Sequence, residues 1–149
     1  GHYNPREIVF LGCDMSYPKT SKTHFYGTGT ADPLREDITL ISLEAKAARL
    51  YALALAQGCE ISNLSKETSR LIAPRRSLSE PRPKPFKIDK VQKAHALARE
   101  QELAYYVKSG RYWEELERFD IKQIKRLDAL WSTVVIAPPQ GVAAPMRSH

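Results

Sequence analysis

The chain has 149 residues, 42% of them hydrophobic, and a formal net charge of +6. That length suits one ordinary domain, and that apolar content excludes simple disorder of the whole chain. No apolar run approaches the ~18–20 residues needed to span a bilayer, and no secretory signal is visible in the opening GHYNPRE.

The positive balance favours anionic partners: nucleotide phosphates, nucleic acid or an anionic membrane face. Cys13 and Cys59 form no CxxC and lack clustered histidines at zinc spacing, so they read as small buried hydrophobes and fit a reducing cytoplasm. The Gly-His start without an initiator Met reads either as a tag remnant or as an internal cut, which would make the chain a piece of a longer protein.

In chain order, residues 7–13, EIVFLGC, form a continuous apolar run bounded by Pro5 and Asp14. It reads as a strand buried on both faces, of the parallel-sheet type. The connection from Met15 to about Asp37 is then long enough to be functional or disordered. Asp37 is a plausible N-cap for the helical stretch after it. Ile41, Ala45, Ala48, Ala52 and Leu55 fall on one stripe, whose alanines suit close packing on a sheet, and Gly58 ends the helix as its C′ residue. CEISNLS, 59–65, is a second short strand.

Strand, helix and strand make a βαβ unit with a parallel pair and a right-handed crossover. Two strands cannot bury both faces of a helix-covered sheet. Either the chain is the C-terminal part of a larger domain or a partner supplies strands, so a missing N-terminal half or self-association is expected. The fold class is α/β, a partial Rossmann-like βαβ unit followed by a helical hairpin. Residues 1–73 belong to the first part.

Residues 74–87 are rich in proline and basic side chains and read as an extended linker or strap. Residues 88–132 form the hairpin. Asp89 caps its first helix, which is expected to end near Gly110. The second carries Trp113, Leu116, Phe119, Ile124, Leu127 and Trp131 along an apolar face read as core or docking surface. Residues 133–149 are expected to be a disordered tail.

Several positions can carry chemistry. In open α/β sheets ligands bind outside the carboxyl ends of the strands. Gly12 and Asp14 lie at such an end, where Asp14 can hold a sugar hydroxyl or cap the turn. Tyr17, His24 and Tyr26 follow in the long loop. Tyrosine hydroxyls can donate to phosphate oxygens, and a histidine can take a proton from an acceptor hydroxyl; packing of the rings onto the sheet is the alternative. Gly27 and Gly29 permit positive φ or a close backbone approach, but GTGT is neither a P-loop nor GxGxxG. Asn63, Ser65, Thr68 and Ser69, at and just after the end of the second strand, can bind a ligand or cap a turn, and Arg75 and Arg76 can clamp phosphate or form a solvated face. His95, on a helix without a partner at ligand spacing, reads as a surface residue. No metal-ligand pattern is present, and no cofactor is implied.

EIVFLGCDMSY, the THFYG loop, the helix and CEISNLSKETSRL together resemble the C-terminal half of bacterial sialyltransferases with a Rossmann-like core, glycosyltransferase family 42. Archaeal-type pterin diphosphokinase-like proteins share the same coarse pattern. The similarity covers about residues 6–71. It implies inverting transfer of a sugar from a nucleotide donor to a hydroxyl of a glycan or lipid-linked acceptor, with no required metal. By this resemblance Gly12 and Asp14 match the strand-end motif, Tyr17 lies near the phosphate-binding tyrosine, and His24 and Gly27 match the His-aromatic-x-Gly segment. Tyr26 would steady the leaving phosphate with Tyr17. The family's histidine falls just after that glycine, where this chain has Thr28. Either His24 takes over as base, or the transferase activity differs or is absent. The implied setting is cytoplasmic, with the basic hairpin able to dock on the inner membrane face.

A second reading makes the chain a non-catalytic basic module that contacts nucleic acid or a protein partner. Nucleic acid is the weaker of these, because no recognition motif accompanies the charge.

Overall fold

The computed structural model of the protein describes residues 4–13, 42–66 and 69–138. It is mixed α/β. Strand β1 is Glu7–Phe10, helix α1 Leu43–Ala56 and strand β2 Glu60–Asn63. Strand β3 (Lys87–Ile88), helix α2 (Lys90–Glu102), two short 3-10 turns, helix α3 (Ile121–Ser132) and strand β4 (Val135–Ile136) follow.

The two expected strands are parallel, with Glu7 opposite Glu60 and Phe10 opposite Asn63, and α1 lies between them in sequence. Ser42 caps α1, its hydroxyl accepting from the Ala45 amide at 3.2 Å; the expected cap Asp37 lies outside the described residues. Ala45, Ala48 and Ala52 are buried as the stripe predicts, while Ile41 also lies outside the described residues. The helix ends as expected at Gly58, whose φ is +73°. The Cys59 amide donates to Ala54 O at 2.9 Å and the Gly58 amide to Leu55 O at 3.0 Å, the paired bonds of a Schellman closure.

The expectation that β1 is buried on both faces is corrected. Register puts Ile8, Phe10 and Ile61 on one face, where they pack with Tyr51 and Ala54 of α1. The other face carries Glu7, Val9, Glu60 and Ser62, and Val9 is 40% exposed. A pair of glutamates cannot sit under a second apolar layer, so this face is covered by charge instead. Arg76 donates to Glu7 at 2.6 Å and to Ser62 Oγ at 3.3 Å, and Arg82 reaches both Glu7 and Glu60.

Those arginines belong to the proline-rich strap. Its start bridges β2 in parallel: the Asn63 amide donates to Pro74 O, and the Arg76 amide to Asn63 O. Its end is pinned where Phe86 donates its amide to the Tyr51 hydroxyl at 2.9 Å and sets its ring 5.5 Å from that of Tyr51.

In the hairpin Asp89 caps α2 as expected, accepting from the Val91 and Gln92 amides. The end near Gly110 is corrected: α2 stops at Glu102, and Ala104 turns to a φ of +47°. The second helix is shorter than expected as well. Trp113 and Leu116 lie in the 3-10 turns, and α3 starts after the cap Asp120. The physical reason is burial. Leaving the helix lets Tyr105 pack against Tyr112 at 5.5 Å and Phe119 at 5.4 Å between ring centres.

Helix α3 packs on both α1 and α2, so Ala45, Ala52, Ala96, Ile124, Leu127 and Trp131 share one core. The expected tail from residue 133 instead begins with β4, which pairs antiparallel with β3. Among the described residues no helix is long and apolar enough to cross a membrane.

Candidate functional site

Parallel pairing brings the carboxyl ends of β1 and β2 together, and polar side chains stitch them. Gly12 leaves β1 with a φ of +67°, a conformation that favours glycine. The next amide, of Cys13, donates to Ser65 Oγ at 3.0 Å. Ser69 Oγ donates to the Cys13 carbonyl at 2.5 Å and accepts from Asn63 Nδ2 at 2.9 Å and from the Leu71 amide at 3.2 Å. A hydroxyl has one donor and two acceptor sites, so Ser69 is fully committed. Asn63 is 0% exposed, and its Oδ1 accepts from the Ser65 amide at 2.9 Å.

Of the expected binding residues the structure therefore joins Gly12, Asn63 and Ser65, and gives Asn63 a stitching role. Asp14, Tyr17, His24, Tyr26, Gly27 and Thr28 lie outside the described residues. Ser65 Oγ accepts from Cys13, and among the described residues its own proton is donated to no partner.

Beside it opens a groove of about 490 Å³, with Ser65, Lys66, Arg75, Arg76 and Ser77 on its polar side together with one carboxylate, Glu80, which accepts from the Ser77 amide, and with Leu11 and Leu78 as exposed apolar walls. Arg75 donates to the Ser65 carbonyl at 2.5 Å, which fixes the strap's first cation at the strand ends. Arg76 is held by Glu7 and Ser62. The groove has hydrogen-bond donors and positive charge where strands of this polarity place ligands.

A second polar centre, missed in the sequence, joins α1 to α2 and α3. Lys46 Nζ meets Asp128 Oδ1 at 2.6 Å and lies 4.9 Å from the centre of the Tyr105 ring. Arg49 forks onto Glu100, with Nε at 2.6 Å and Nη2 at 3.0 Å, and Trp131 Nε1 donates to the same carboxylate at 2.7 Å. Burial alone would lower the pKa of Lys46, but the hydrogen bonds of Asp128 and Tyr105 outweigh it and leave it raised. Burial pushes the Asp128 carboxyl up, against the pull of Lys46 and of the Ser42 backbone. Asp128 Oδ2 makes no well-formed hydrogen bond among the described residues. The signal for it in the sequence is two cations, Lys46 and Arg49, set three apart in an alanine-rich helix.

Among the described residues no three His, Cys, Asp or Glu side chains converge as a metal site would require. His95 is exposed on α2, and neither cysteine forms a disulfide; Cys59 is buried as expected, whereas Cys13 is only half-buried. Comparison with known proteins finds no matching family model, curated protein or solved structure.

Proposed function

We propose that the chain is the acceptor-side part of a transferase of the sialyltransferase type. It moves a sugar from a nucleotide donor to a hydroxyl without a required metal. The observation that supports this reading is the donor-rich groove at the carboxyl ends of a parallel strand pair, beside a glycine in the left-handed conformation. Ser65, Lys66 and Arg75 would face the donor's phosphate. In this reading the residues that follow Cys13 in sequence supply Asp14 to position their loop, Tyr17 and Tyr26 to the leaving phosphate, and His24 as the base.

The test uses the intact protein and a panel of CMP-, UDP- and GDP-linked sugars. Binding is followed by calorimetry and turnover by release of the nucleotide. His24→Ala is expected to lower turnover ~10²–10⁴-fold, about 3–5 kcal/mol of barrier, and to leave donor affinity nearly intact. Lys66→Ala is expected to weaken donor binding. Salt-dependent binding of any polyanion, with no response to the sugar nucleotides, would move the chain to the class of basic binding modules.

A further inference from the structure

At the amino ends of the same strands, away from the strand-end groove, a second cavity of about 350 Å³ opens. Asn4 and Pro5, which precede β1, and Cys59, which precedes β2, line it. Its volume lies within the ordinary range of small-molecule sites, ~300–1,000 Å³. One stripe of α1 makes a wall: Lys46, Arg49, Leu50 and Leu53. Tyr105 and Tyr112 stand across from it.

Its hydrogen-bonding capacity is uneven. A guanidinium carries five N–H donors in a planar fork. Arg49 spends Nε–H and one Nη2–H on Glu100, and no described residue accepts from the remaining edge. Lys46 gives one of its three donors to Asp128 and another to Tyr105. The carboxylates Glu100 and Asp128 back the two cations but do not line the cavity. The cavity thus offers donors and almost no net charge. A free guanidinium edge matches a carboxylate in two parallel bonds. A phosphate dianion would bring twice the charge of a carboxylate into a cavity whose cations are already paired. Ile8, Leu50 and Leu53 give the rest of a ligand an apolar bed.

We propose that this cavity binds a small monocarboxylate with an apolar or aromatic body, its carboxylate on the open edge of Arg49 and its body against Leu50 and Leu53. The site is distinct from the strand-end groove and does not depend on the transferase reading.

The experiment titrates 3-phenylpropanoate into the isotopically labelled intact protein and follows backbone amide resonances, with 3-phenylpropanamide and phenyl phosphate as controls. The expected result is a saturable millimolar response at Leu50, Leu53 and Cys59, with both controls roughly 10-fold weaker or more. Leu50 is 42% exposed, so Leu50→Trp is expected to fold normally while its indole fills the cavity and abolishes the response. Equal responses to the acid and its amide would overturn the proposal. So would an undiminished response in a folded Leu50→Trp protein, a phosphate response as strong as the acid's, or no saturable response to the acid up to about 20 mM.

Discussion

Lys46 and Asp128 show how much one partly buried pair depends on both members. Lys46→Met leaves the Asp128 carboxylate in a low-dielectric pocket with an oxygen already lacking a good partner. Loss of one partner from such a pair costs about 3–5 kcal/mol, whereas replacing both by apolar groups of similar size is often nearly neutral. Chemical denaturation of Lys46→Met and of Lys46→Met with Asp128→Leu is expected to show the double variant as the more stable. The single variant is also expected to lose less at pH 4 than at pH 7. Burial raises the Asp128 pKa above its ordinary 3.8, so the folded state holds that proton more tightly than the unfolded chain. Its favourable contribution is present at low pH and falls as pH rises through the folded value. Removing Lys46 takes away the opposing hydrogen bond and widens that window. A single variant as stable as the double would show that the pair contributes nothing.

At the scale of elements, the strap and the helix ends carry different lessons. Arg76 and Arg82 both reach Glu7, but the Arg76 side chain is 10% exposed and that of Arg82 is 58% exposed. Arg76→Met should therefore cost about 1–3 kcal/mol, since it leaves Glu7 and Ser62 short of a partially buried donor. Arg82→Met should cost less than ~1 kcal/mol, as exposed pairs do. Equal losses in urea melts would mean that the strap is held by its backbone bridge alone. Gly58→Ala is a third case. An added methyl meets nothing within 4 Å, so the expected loss of about 1–2 kcal/mol is purely the backbone strain of φ +73°. That helix end was legible in the sequence because the stop is local: one glycine makes the turn. The Asp89 cap was legible for the same reason. The end of α2 was not, because it is decided by distant partners. Tyr105 leaves the helix to join Tyr112 and Phe119, and no residue next to it announces the break. The candidate site divides likewise. The strand-end position of Gly12, Asn63 and Ser65 followed from the apolar runs, but the Asn63–Ser69–Cys13 stitch and the Lys46 and Arg49 pairs join residues up to 82 positions apart.

Across the whole molecule α1 is the common member. It packs on β2 through one face and on α3 through another, and both core clusters draw on it. Three groups that join it to its neighbours hold their protons more tightly in the folded state. Lys46 ties α1 to α3, and its pKa is raised above 10.5. Tyr51 ties it to the strap; burial, only partly offset by the Phe86 amide, raises it above 10.0. Tyr105, against Lys46, is raised by burial and partly lowered again by that lysine. For each, the folded pKa exceeds the unfolded one, so the contribution is complete below the unfolded value and disappears as pH rises through the folded value. All three windows open at about pH 10 and act on the same helix. Urea midpoints are therefore expected to hold steady from these groups between pH 7 and 9, then to fall steeply above 10. Tyr51→Phe cannot ionise, so it should flatten that alkaline fall while lowering the midpoint at pH 7, where the Phe86 amide loses its acceptor. The loss at neutral pH should be about 1–3 kcal/mol, the cost of a buried donor left unpaired. An alkaline slope identical in Tyr51→Phe and the unaltered protein would show that the tyrosine ionises alike in both states and that the strap is not anchored through its hydroxyl.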